Sequence, residues 1–430
     1  GFPIASPGDF EAVREIARSV FRATGHQRMT ALRILFVVRP SSVHSARWIN
    51  QIAGCGWDLH VFAASEGTWH PDFQNATGYS YASRSVDGTD KKFRAKRLWP
   101  LPLGADRVKM LSARLPEGWS SRAAWLARVI RWLKPDIVHS LEFQQAGYLT
   151  LNARSLYDGR FPTWAVSNWG SDIYLYGPLS EHVDKIKGIL AACDYYACEC
   201  HRDVELAREY GFTKTALPVL PIAGGFQVEH LKQYRQPGPT SARRVIALKG
   251  YQHWAGRGLV GLRALELCAD QIKAGGYTVA VYLADYDVRI AAERMALKTG
   301  ISLEILPPAA HEEVLRLHGR SRVSIGLSIS DGLSTSALEA MVMGAFPVQS
   351  NTSCLCELVK DGETALMVPA EDPVEVAAAI RRALLDDAMV DRAAECNMQL
   401  AAERLDYSVI QPQVVEIYER IANEIEAQRG

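Results

Sequence analysis

Residues 328–348 read Ser-Ile-Ser-Asp-Gly-Leu-Ser-Thr-Ser-Ala-Leu-Glu-Ala-Met-Val-Met-Gly-Ala-Phe-Pro-Val. The apolar run just before them, residues 323–327, predicts a buried strand, and Gly332 lies in the turn that follows it. A helix is predicted to begin near residues 334–336 and to end at Gly344, before the next strand. The stretch is therefore a strand, turn, helix and strand unit whose turn lies at a helix N-terminus.

A turn of this kind is suited to binding an anion. The free backbone N–H groups and the positive end of the helix dipole favour a phosphate or a diphosphate, and open α/β sheets bind ligands at this edge. Asp331 lies in the turn and Glu339 lies in the helix. Carboxylates repel phosphate but accept hydrogen bonds from hydroxyl groups, so we expect one to bind a sugar hydroxyl and the other a ribose. Two alternatives remain open: Glu339 as part of a capping box with Ser336, and Asp331-Gly332 as a plain turn.

Strands and helices alternate on both sides of this unit. Apolar runs predict strands at residues 32–38, 59–62, 137–139, 163–167 and 191–197, and then at 244–248, 279–283, 303–306, 323–327 and 345–348. Such alternation predicts mostly parallel sheets covered by helices on both faces, and hence an α/β chain of two doubly wound domains.

The domain boundaries follow from this alternation and from a Pro- and Gly-rich stretch at residues 236–241, which has the composition of a linker. We expect four parts: a helical extension or expression remnant at 1–30, a first domain at 31–238, a second at 239–408, and a terminal helix at 409–430 that packs back on the first domain.

Composition excludes several classes of protein. The 430 residues contain 48 basic and 48 acidic side chains, so no net charge draws the chain to nucleic acid. No uncharged apolar run of about 18 residues exists, and acidic residues interrupt the N-terminal 30, so we expect a cytoplasmic protein. The eight cysteines are too sparse for a disulfide scaffold. Two pairs, Cys198/Cys200 and Cys354/Cys356, form Cys-x-Cys motifs, but no matching Cys or His pair completes a metal site, so we expect reduced thiols and no metal.

Residues 331–348, together with Asp361-Gly-Glu-Thr-Ala-Leu-Met-Val-Pro369, resemble family-4 retaining glycosyltransferases of the GT-B fold. That family has Glu-x7-Glu, then Ala-Met, Gly-x-Pro-Val and Gly-x-Leu-Val-Pro. The resemblance extends to residues 33–38, 134–139 and 168–173, and covers most of residues 31–425. It implies two Rossmann-like domains that face each other across a cleft. It also implies transfer of a sugar from a nucleotide-diphosphate sugar to a hydroxyl group, with retained configuration and without a metal ion or cofactor.

The resemblance also assigns donor-site roles. Glu339 would bind the ribose and Asp331 a hydroxyl of the transferred sugar, while the backbone of the turn, formed by Gly332, Leu333, Ser334 and Thr335, would bind the diphosphate. Nucleobase contacts would come from the backbone near Pro308. Lys249 and Arg257 would neutralise the leaving diphosphate. Asp331 replaces the family's first Glu, and Lys precedes Arg here at a longer interval than usual.

The acceptor side departs from the family. A His commonly stands two residues after the strand-ending histidine, His139, and here that position is Leu141. The acceptor-side candidates are His44, Trp169 and Asp172, with Glu142 as a further catalytic candidate. The structural alternatives are helix caps for His44 and Asp172, a solvated loop charge for Glu142 and a core position for Trp169. His253 and Trp254 are predicted either to contact a ligand or simply to pack.

Three functions stay open for such a chain. The first is a transferase whose acceptor is a glycan, a lipid-linked glycan or a small molecule. The second is a GT-B sugar-nucleotide epimerase, and the third is a non-catalytic nucleotide-sugar binder. Basic and aromatic residues alternate from Lys91 to Trp99. This stretch is interpreted as a solvated loop, with weak peripheral contact to an anionic membrane as the alternative.

Overall fold

The computed structural model describes residues 31–80, 93–98, 121–307 and 311–429. The predicted N-terminal helix, Pro308, and the ends of the 91–99 stretch lie outside these ranges. Within them the strands form two parallel sheets. None of the helices in these ranges combines the length and the apolar character needed to cross a bilayer.

The first sheet is built from the N-terminal half of the chain. Its strands are β1 Arg33–Val38, β2 Asp58–Ala63, β3 Thr77–Ser80, β4 Arg94–Arg97, β5 Ile137–Leu141, β6 Thr163–Ser167, β7 Tyr195–Ala197 and β8 Thr215–Ala216. They lie in the order β4-β3-β2-β1-β5-β6-β7-β8, so the strand order reverses direction between β1 and β5. Residues 94–97, predicted as part of a loop, instead pair with β3 as an edge strand.

The second sheet is built from the C-terminal half. Its strands are β9 Val245–Lys249, β10 Thr278–Tyr282, β11 Ser302–Ile305, β12 Ser321–Gly326, β13 Phe346–Ser350 and β14 Leu366–Val368. They lie in the order β11-β10-β9-β12-β13-β14, which reverses between β9 and β12. Both sheets therefore have the switch point at which open α/β sheets bind ligands.

Helices connect the strands. Their bounds are α1 Val43–Asn50, α2 Arg122–Leu133, α3 Tyr148–Ser155, α4 Ser171–Tyr174, α5 Val183–Ala192, α6 His201–Glu209, α7 Val228–Leu231, α8 Gly258–Leu267, α9 Ala269–Ala274, α10 Tyr286–Thr299, α11 His311–Arg320, α12 Thr335–Met343, α13 Pro373–Leu385, α14 Asp387–Arg404 and α15 Tyr407–Ala427. A π-helical turn, Phe143–Gly147, precedes α3. The linker-like stretch at 236–241 leads into a short 3-10 turn, Thr240–Ala242.

The terminal helix α15 packs on the first sheet, although it follows the second in sequence. Phe36 of β1 shares a buried core with Ile417 and Tyr418 of α15. The Tyr418 hydroxyl lies 2.8 Å from His139 Nδ1 and accepts a hydrogen bond of the same length from Trp48 Nε1. The C-terminal helix α15 thus returns from the second half of the chain to the first.

Candidate active site between the two sheets

The two strands that flank the switch point of the second sheet supply one side of the candidate site. Lys249 is the last residue of β9, and Asp331 lies five residues after β12. Both line a cavity of about 170 Å³, together with Ser334, Ser171, His253 and Trp254 among others. Parallel strands end at a common edge, which is why residues 82 positions apart in sequence meet here.

The N-terminus of α12 opens onto this cavity. Ser334 is the N-cap residue, and its side chain makes no capping hydrogen bond to the helix backbone. The first backbone N–H groups of a helix have no partner within the helix, so this turn presents donors and the positive end of the helix dipole. The geometry suits an anion such as a diphosphate.

Glu339 is buried in α12, and the structure contradicts its interpretation as a capping-box residue. Its Oε1 atom lies 2.5 Å from Nε2 of His311. Ser334, rather than Ser336, is the N-cap residue. Burial opposes ionisation of Glu339, but the hydrogen bond and the charge of His311 outweigh it, so the pKa of the carboxyl lies below its usual value. Glu339 is therefore a buried carboxylate that stays ionised at neutral pH.

Lys249 and Arg257 lie in different environments. The Lys249 ammonium lies 4.7 Å from the ring centre of Tyr251, and no ion pair holds it within the described ranges. The Arg257 guanidinium instead forms an ion pair of 2.8 Å with Glu371 and donates to the carbonyl groups of residues 253–256. The structure brings Lys249 to the cavity, whereas Arg257 is held in the adjacent turn.

His44 and Trp169 face the second sheet from the first. Their ring centres are 5.9 Å apart in an edge-on arrangement. His44 Nδ1 and Trp169 Nε1 are both buried, and neither has a hydrogen-bond partner in the described part of the chain. Burial and the charge of Arg47 lower the pKa of His44 to about 4, and the charges of Glu339 and Lys249 act on it as well. His44 is thus a neutral ring close to both of those residues.

Glu142 is buried, which contradicts its interpretation as a solvated loop charge. Its carboxylate accepts hydrogen bonds from the backbone N–H groups of Gln145 and Ala146 and so caps the π-helical turn. Its φ of 88° is rare outside glycine, and such strain clusters at functional sites. Burial, which these hydrogen bonds only partly offset, raises the pKa of Glu142 to about 7.

Asp172 is a second buried carboxyl group close to Glu142. Its Oδ2 atom accepts a hydrogen bond of 2.6 Å from the Trp169 backbone N–H, so Asp172 shapes the turn that holds Trp169. Burial, and then the charge of Glu142, raise the pKa of Asp172 well above its ordinary value. Because two negative charges at this distance repel each other, the pair tends to bind a proton.

The two halves of the chain touch beside the cavity. A Cβ atom placed on Gly170 would lie 2.1 Å from the backbone nitrogen of Gly332, so only glycine fits there. The hydroxyl groups of Ser171 and Ser330 form a hydrogen bond of 3.0 Å next to this contact. The diphosphate turn predicted from the sequence therefore packs directly against the loop that follows β6.

Some residues at the site were not predicted from the sequence. His311 was not predicted as a site residue, because Glu339, which it contacts, is 28 positions away in the sequence. The signal that could have found His311 is its position just after the predicted nucleobase region. The ring centres of Tyr176 and Trp254 lie 5.7 Å apart across the cleft, and no local sequence pattern predicts this contact. Tyr251 follows Lys249 by two residues, and the signal that could have found it is its place at the end of a strand beside the switch point.

A larger groove of about 600 Å³ lies elsewhere on the first sheet. It is lined by Thr163, Thr215 and Glu424, among other residues. Thr163 and Thr215 are the first residues of β6 and β8, so the groove lies at the amino ends of the strands. Open α/β sheets bind ligands at the opposite edge. We therefore assign the functional site to the cavity near Asp331.

Comparison with known proteins agrees with this architecture. Residues 286–399 match the family described as glycosyl transferases group 1. A D-inositol 3-phosphate glycosyltransferase from Nocardioides sp. is 28% identical over 127 residues, a stretch that covers 30% of this chain and 28% of that protein. The match thus spans little more than a quarter of the relative's length.

Solved structures resemble almost the whole chain. Sucrose-phosphate synthase from Thermosynechococcus elongatus superposes with a TM-score of 0.64 at 14% identity, over 91% of this chain and 100% of that one. HepE from Anabaena, solved with UDP-glucose, gives 0.61 at 14% identity, over 90% and 99%. The fold is therefore GT-B, two Rossmann-like sheets joined in one chain.

The chain thus has the GT-B fold, and its second half contains a segment that matches the family glycosyl transferases group 1. The matched segment, residues 286–399, includes Asp331, Glu339 and all of α12.

Proposed function

We propose that this chain is a retaining glycosyltransferase that moves a sugar from a nucleotide-diphosphate donor to a hydroxyl group of an acceptor. One observation carries the proposal: Lys249, Asp331 and the N-terminus of α12 line a single cavity between the two halves. A cation, a carboxylate and free backbone donors are the groups that a diphosphate linked to a sugar requires.

In this proposal the donor lies along the second sheet. The turn from Gly332 to Thr335 binds the diphosphate, Glu339 accepts hydrogen bonds from the ribose, and Asp331 accepts one from the transferred sugar. Structural neighbours were solved with UDP and with UDP-glucose, so uridine-diphosphate sugars are the first donors to test. The ionised state of Glu339 supports the ribose role, because a carboxylate can accept from two vicinal hydroxyl groups at once.

The reaction needs charge neutralisation on the leaving group. The acceptor oxygen forms a bond to the anomeric carbon while the bond from that carbon to the diphosphate breaks, and a diphosphate oxygen takes the acceptor proton. The Lys249 ammonium stabilises the negative charge that develops on the diphosphate. Closure of the two halves around the cavity excludes water and limits hydrolysis of the donor.

The acceptor in this proposal lies along the first sheet. Buried polar atoms are usually hydrogen-bonded, so the unpaired Nδ1 of His44 and Nε1 of Trp169 support a polar ligand at this face. A hydroxyl group of a glycan, of a lipid-linked glycan or of a small molecule matches these groups. Glu142 and Asp172 shape the loops around them.

Release of nucleoside diphosphate in the presence and absence of added acceptors tests the proposal. We expect acceptor-dependent release, with retained anomeric configuration in the product by NMR. We expect Lys249→Met to lower turnover by about 100-fold or more, while the control variant Lys298→Met, on the exposed face of α10, leaves it unchanged. Interconversion of the donor sugar without an acceptor would instead identify an epimerase. Binding without turnover would identify a non-catalytic binder, and either outcome contradicts the proposal.

A further inference from the structure

A short segment of the first half, residues 199–203, lies against the turn that carries Asp331. One Arg202 Nη atom donates to the Asp331 carbonyl at 3.0 Å, and the other donates to the Thr352 carbonyl at 2.8 Å. The carboxylate of Glu357 in turn accepts from the backbone N–H groups of His201 and Arg202 at 2.9 and 3.1 Å. The segment is thus bound to two loops of the second half.

Glu199, in the same segment, contacts the turn at Gly332. Its buried carboxyl accepts a hydrogen bond of 2.8 Å from the backbone N–H of Ile222 and lies near the backbone N–H of Leu333. A Cβ atom on Gly332 would lie only 2.6 Å from Glu199 Oε2. The Leu333 N–H is one of the donors that the proposed function assigns to the diphosphate. In this structure the Glu199 carboxyl of the first half lies beside it.

A disulfide joins the same two regions. Cys200, next to Glu199, is paired with Cys354, which is 154 residues further along and begins the turn after β13. Their Cα atoms are 6.1 Å apart, within the range that a disulfide spans. The expectation of reduced thiols throughout is wrong for this pair, because the fold brings together one cysteine from each Cys-x-Cys motif.

We propose that Cys200 and Cys354 form a redox-controlled latch that holds residues 199–203 over the diphosphate turn. Oxidation by a low-molecular-weight disulfide, such as oxidised glutathione, proceeds through a mixed disulfide. Each thiol loses a proton, and the two electrons reduce the oxidant to two thiols. Reduction by a dithiol reverses the reaction.

The two states differ in access to the turn. In the oxidised state the covalent bond keeps the Glu199 carboxyl against the diphosphate turn, where it obstructs an incoming diphosphate. In the reduced state no covalent bond holds the segment, and it moves away once its hydrogen bonds and the packing of Cys200 with Leu333 and Leu355 open. Both sulfur atoms are buried in the closed arrangement, so the oxidant reacts with them when the segment has lifted.

In the described part of the chain, one group of side chains has its ligand atoms close enough together to hold a metal ion, and the same two cysteines belong to it. Its third member is Asp203. That carboxylate already accepts hydrogen bonds from Arg202 Nε at 2.8 Å and from Asn168 Nδ2 at 2.9 Å. The sulfur atoms are bonded to each other and the carboxylate is occupied, so the disulfide is the better account of the cluster.

Peptide mapping and amide hydrogen exchange test the latch without any substrate. The full chain is equilibrated with oxidised glutathione or with dithiothreitol, and free thiols are then alkylated. We expect a cross-linked peptide pair containing Cys200 and Cys354 only after oxidation. We expect the amides of residues 328–334 to exchange about 30-fold or more slowly in that state, the factor that corresponds to a typical disulfide stabilisation of about 2 kcal/mol.

Two variants make the result decisive. Cys354→Ser should exchange rapidly in both conditions, whereas Cys356→Ser, an exposed neighbour two residues away, should keep the redox response. Cys200→Ser repeats the test from the other side if Cys354→Ser does not fold. Absence of the cross-link, a cross-link without slower exchange, or tight zinc binding that Cys354→Ser abolishes would each overturn the latch.

The rate of nucleotide binding provides a second readout, which rests on the proposed function. We expect uridine diphosphate to associate more slowly with the oxidised chain than with the reduced chain. Equal association rates would overturn the latch. Failure of any nucleotide to bind in either state would contradict the proposed function, and the exchange experiment would still decide whether the latch exists.

Discussion

His311 Nε2 lies 2.5 Å from Glu339 Oε1, and this contact explains how a buried carboxyl group stays ionised in the second half of the chain. His311 is the first residue of α11 and Glu339 lies in the middle of α12. The ribose role proposed for Glu339 requires a carboxylate, so His311 acts as its positioning residue. No step of the proposed reaction requires His311 to contact the transferred sugar.

The first prediction concerns the pH dependence of nucleotide binding. Because His311 lowers the pKa of Glu339, the wild-type chain should keep its affinity for nucleotide as the pH falls below the carboxyl group's ordinary pKa of 4.5. In His311→Gln the pKa of Glu339 rises, so binding should be lost at a higher pH than in the wild type. Titration of uridine diphosphate affinity against pH measures the midpoint.

Thermal unfolding over the same pH range serves as the control for this variant. It shows whether the fold persists where binding is lost. An unchanged binding midpoint in a folded His311→Gln would contradict the role of the contact.

The second prediction separates the two carboxylates. Asp331→Asn should lower kcat/KM by roughly 10- to 100-fold, since a hydrogen bond to a charged group contributes about 1.5–3 kcal/mol. The affinity for uridine diphosphate alone should stay unchanged, because Asp331 is proposed to contact only the sugar. Calorimetry with the diphosphate and with the diphosphate sugar makes the distinction. Weaker binding of the diphosphate alone would mean that Asp331 contacts the nucleotide and would contradict its proposed contact with the sugar.

The third prediction concerns the contact between the halves. Gly170 has a φ of 91°, and a Cβ atom there would lie 2.1 Å from the Gly332 nitrogen. Gly159 has a similar φ of 97°, but a Cβ atom there meets nothing within 4 Å. Both alanine variants should lose about 1–2 kcal/mol of unfolding free energy, because alanine is strained at a positive φ. Gly170→Ala should lose about 1–3 kcal/mol more, because it also overpacks the contact.

Urea unfolding of the two glycine variants measures this difference directly. Hydrogen exchange at residues 328–334 should accelerate in Gly170→Ala and remain unchanged in Gly159→Ala. Equal losses of unfolding free energy would show that the two loops do not touch in solution.

The fourth prediction concerns acid stability. His139 is buried between the Tyr418 hydroxyl and Ser167 Oγ, and burial lowers its pKa to about 3. As the pH falls from about 6.5 toward 3, the unfolded chain binds a proton at this residue that the folded chain does not, so the fold loses stability on acidification. This one group contributes a slope of about 1.4 kcal/mol per pH unit.

His139→Gln should therefore give a curve of unfolding free energy against pH that is flatter by that amount in this range. The variant should also be less stable at neutral pH, because its hydrogen bonds to Tyr418 and Ser167 are altered. An unchanged slope would mean that His139 is already protonated in the folded chain.

Much of the fold follows from local patterns in the sequence. Strands such as β1, β6 and β9 are continuous apolar runs, as expected for strands buried on both faces of a parallel sheet. β3 and β4 were not predicted, because Thr77–Ser80 and Arg94–Arg97 contain few apolar residues; β4 is the edge strand and β3 lies next to it. Their pairing depends on backbone hydrogen bonds, which leave little trace in composition.

The candidate site was predictable only in part, and the reason is sequence separation. The turn at Gly332 and the start of α12 are local features that glycine and serine mark clearly. The contacts of Glu339 with His311, of Glu199 with Leu333 and of Cys200 with Cys354 join residues 28, 134 and 154 positions apart. Only the packing of the two sheets brings such residues together, and one sequence carries no pattern for it.

Calorimetric titration of uridine diphosphate and other nucleoside diphosphates into the wild-type chain and Glu339→Gln measures whether Glu339 binds the nucleotide. Glu363→Gln, an exposed residue of the loop before β14, is the matched control. We expect one nucleoside diphosphate to bind the wild type and the control equally and to bind Glu339→Gln at least about 10-fold more weakly. Equal binding to all three chains, or no binding to the wild type, would contradict the proposed role of Glu339.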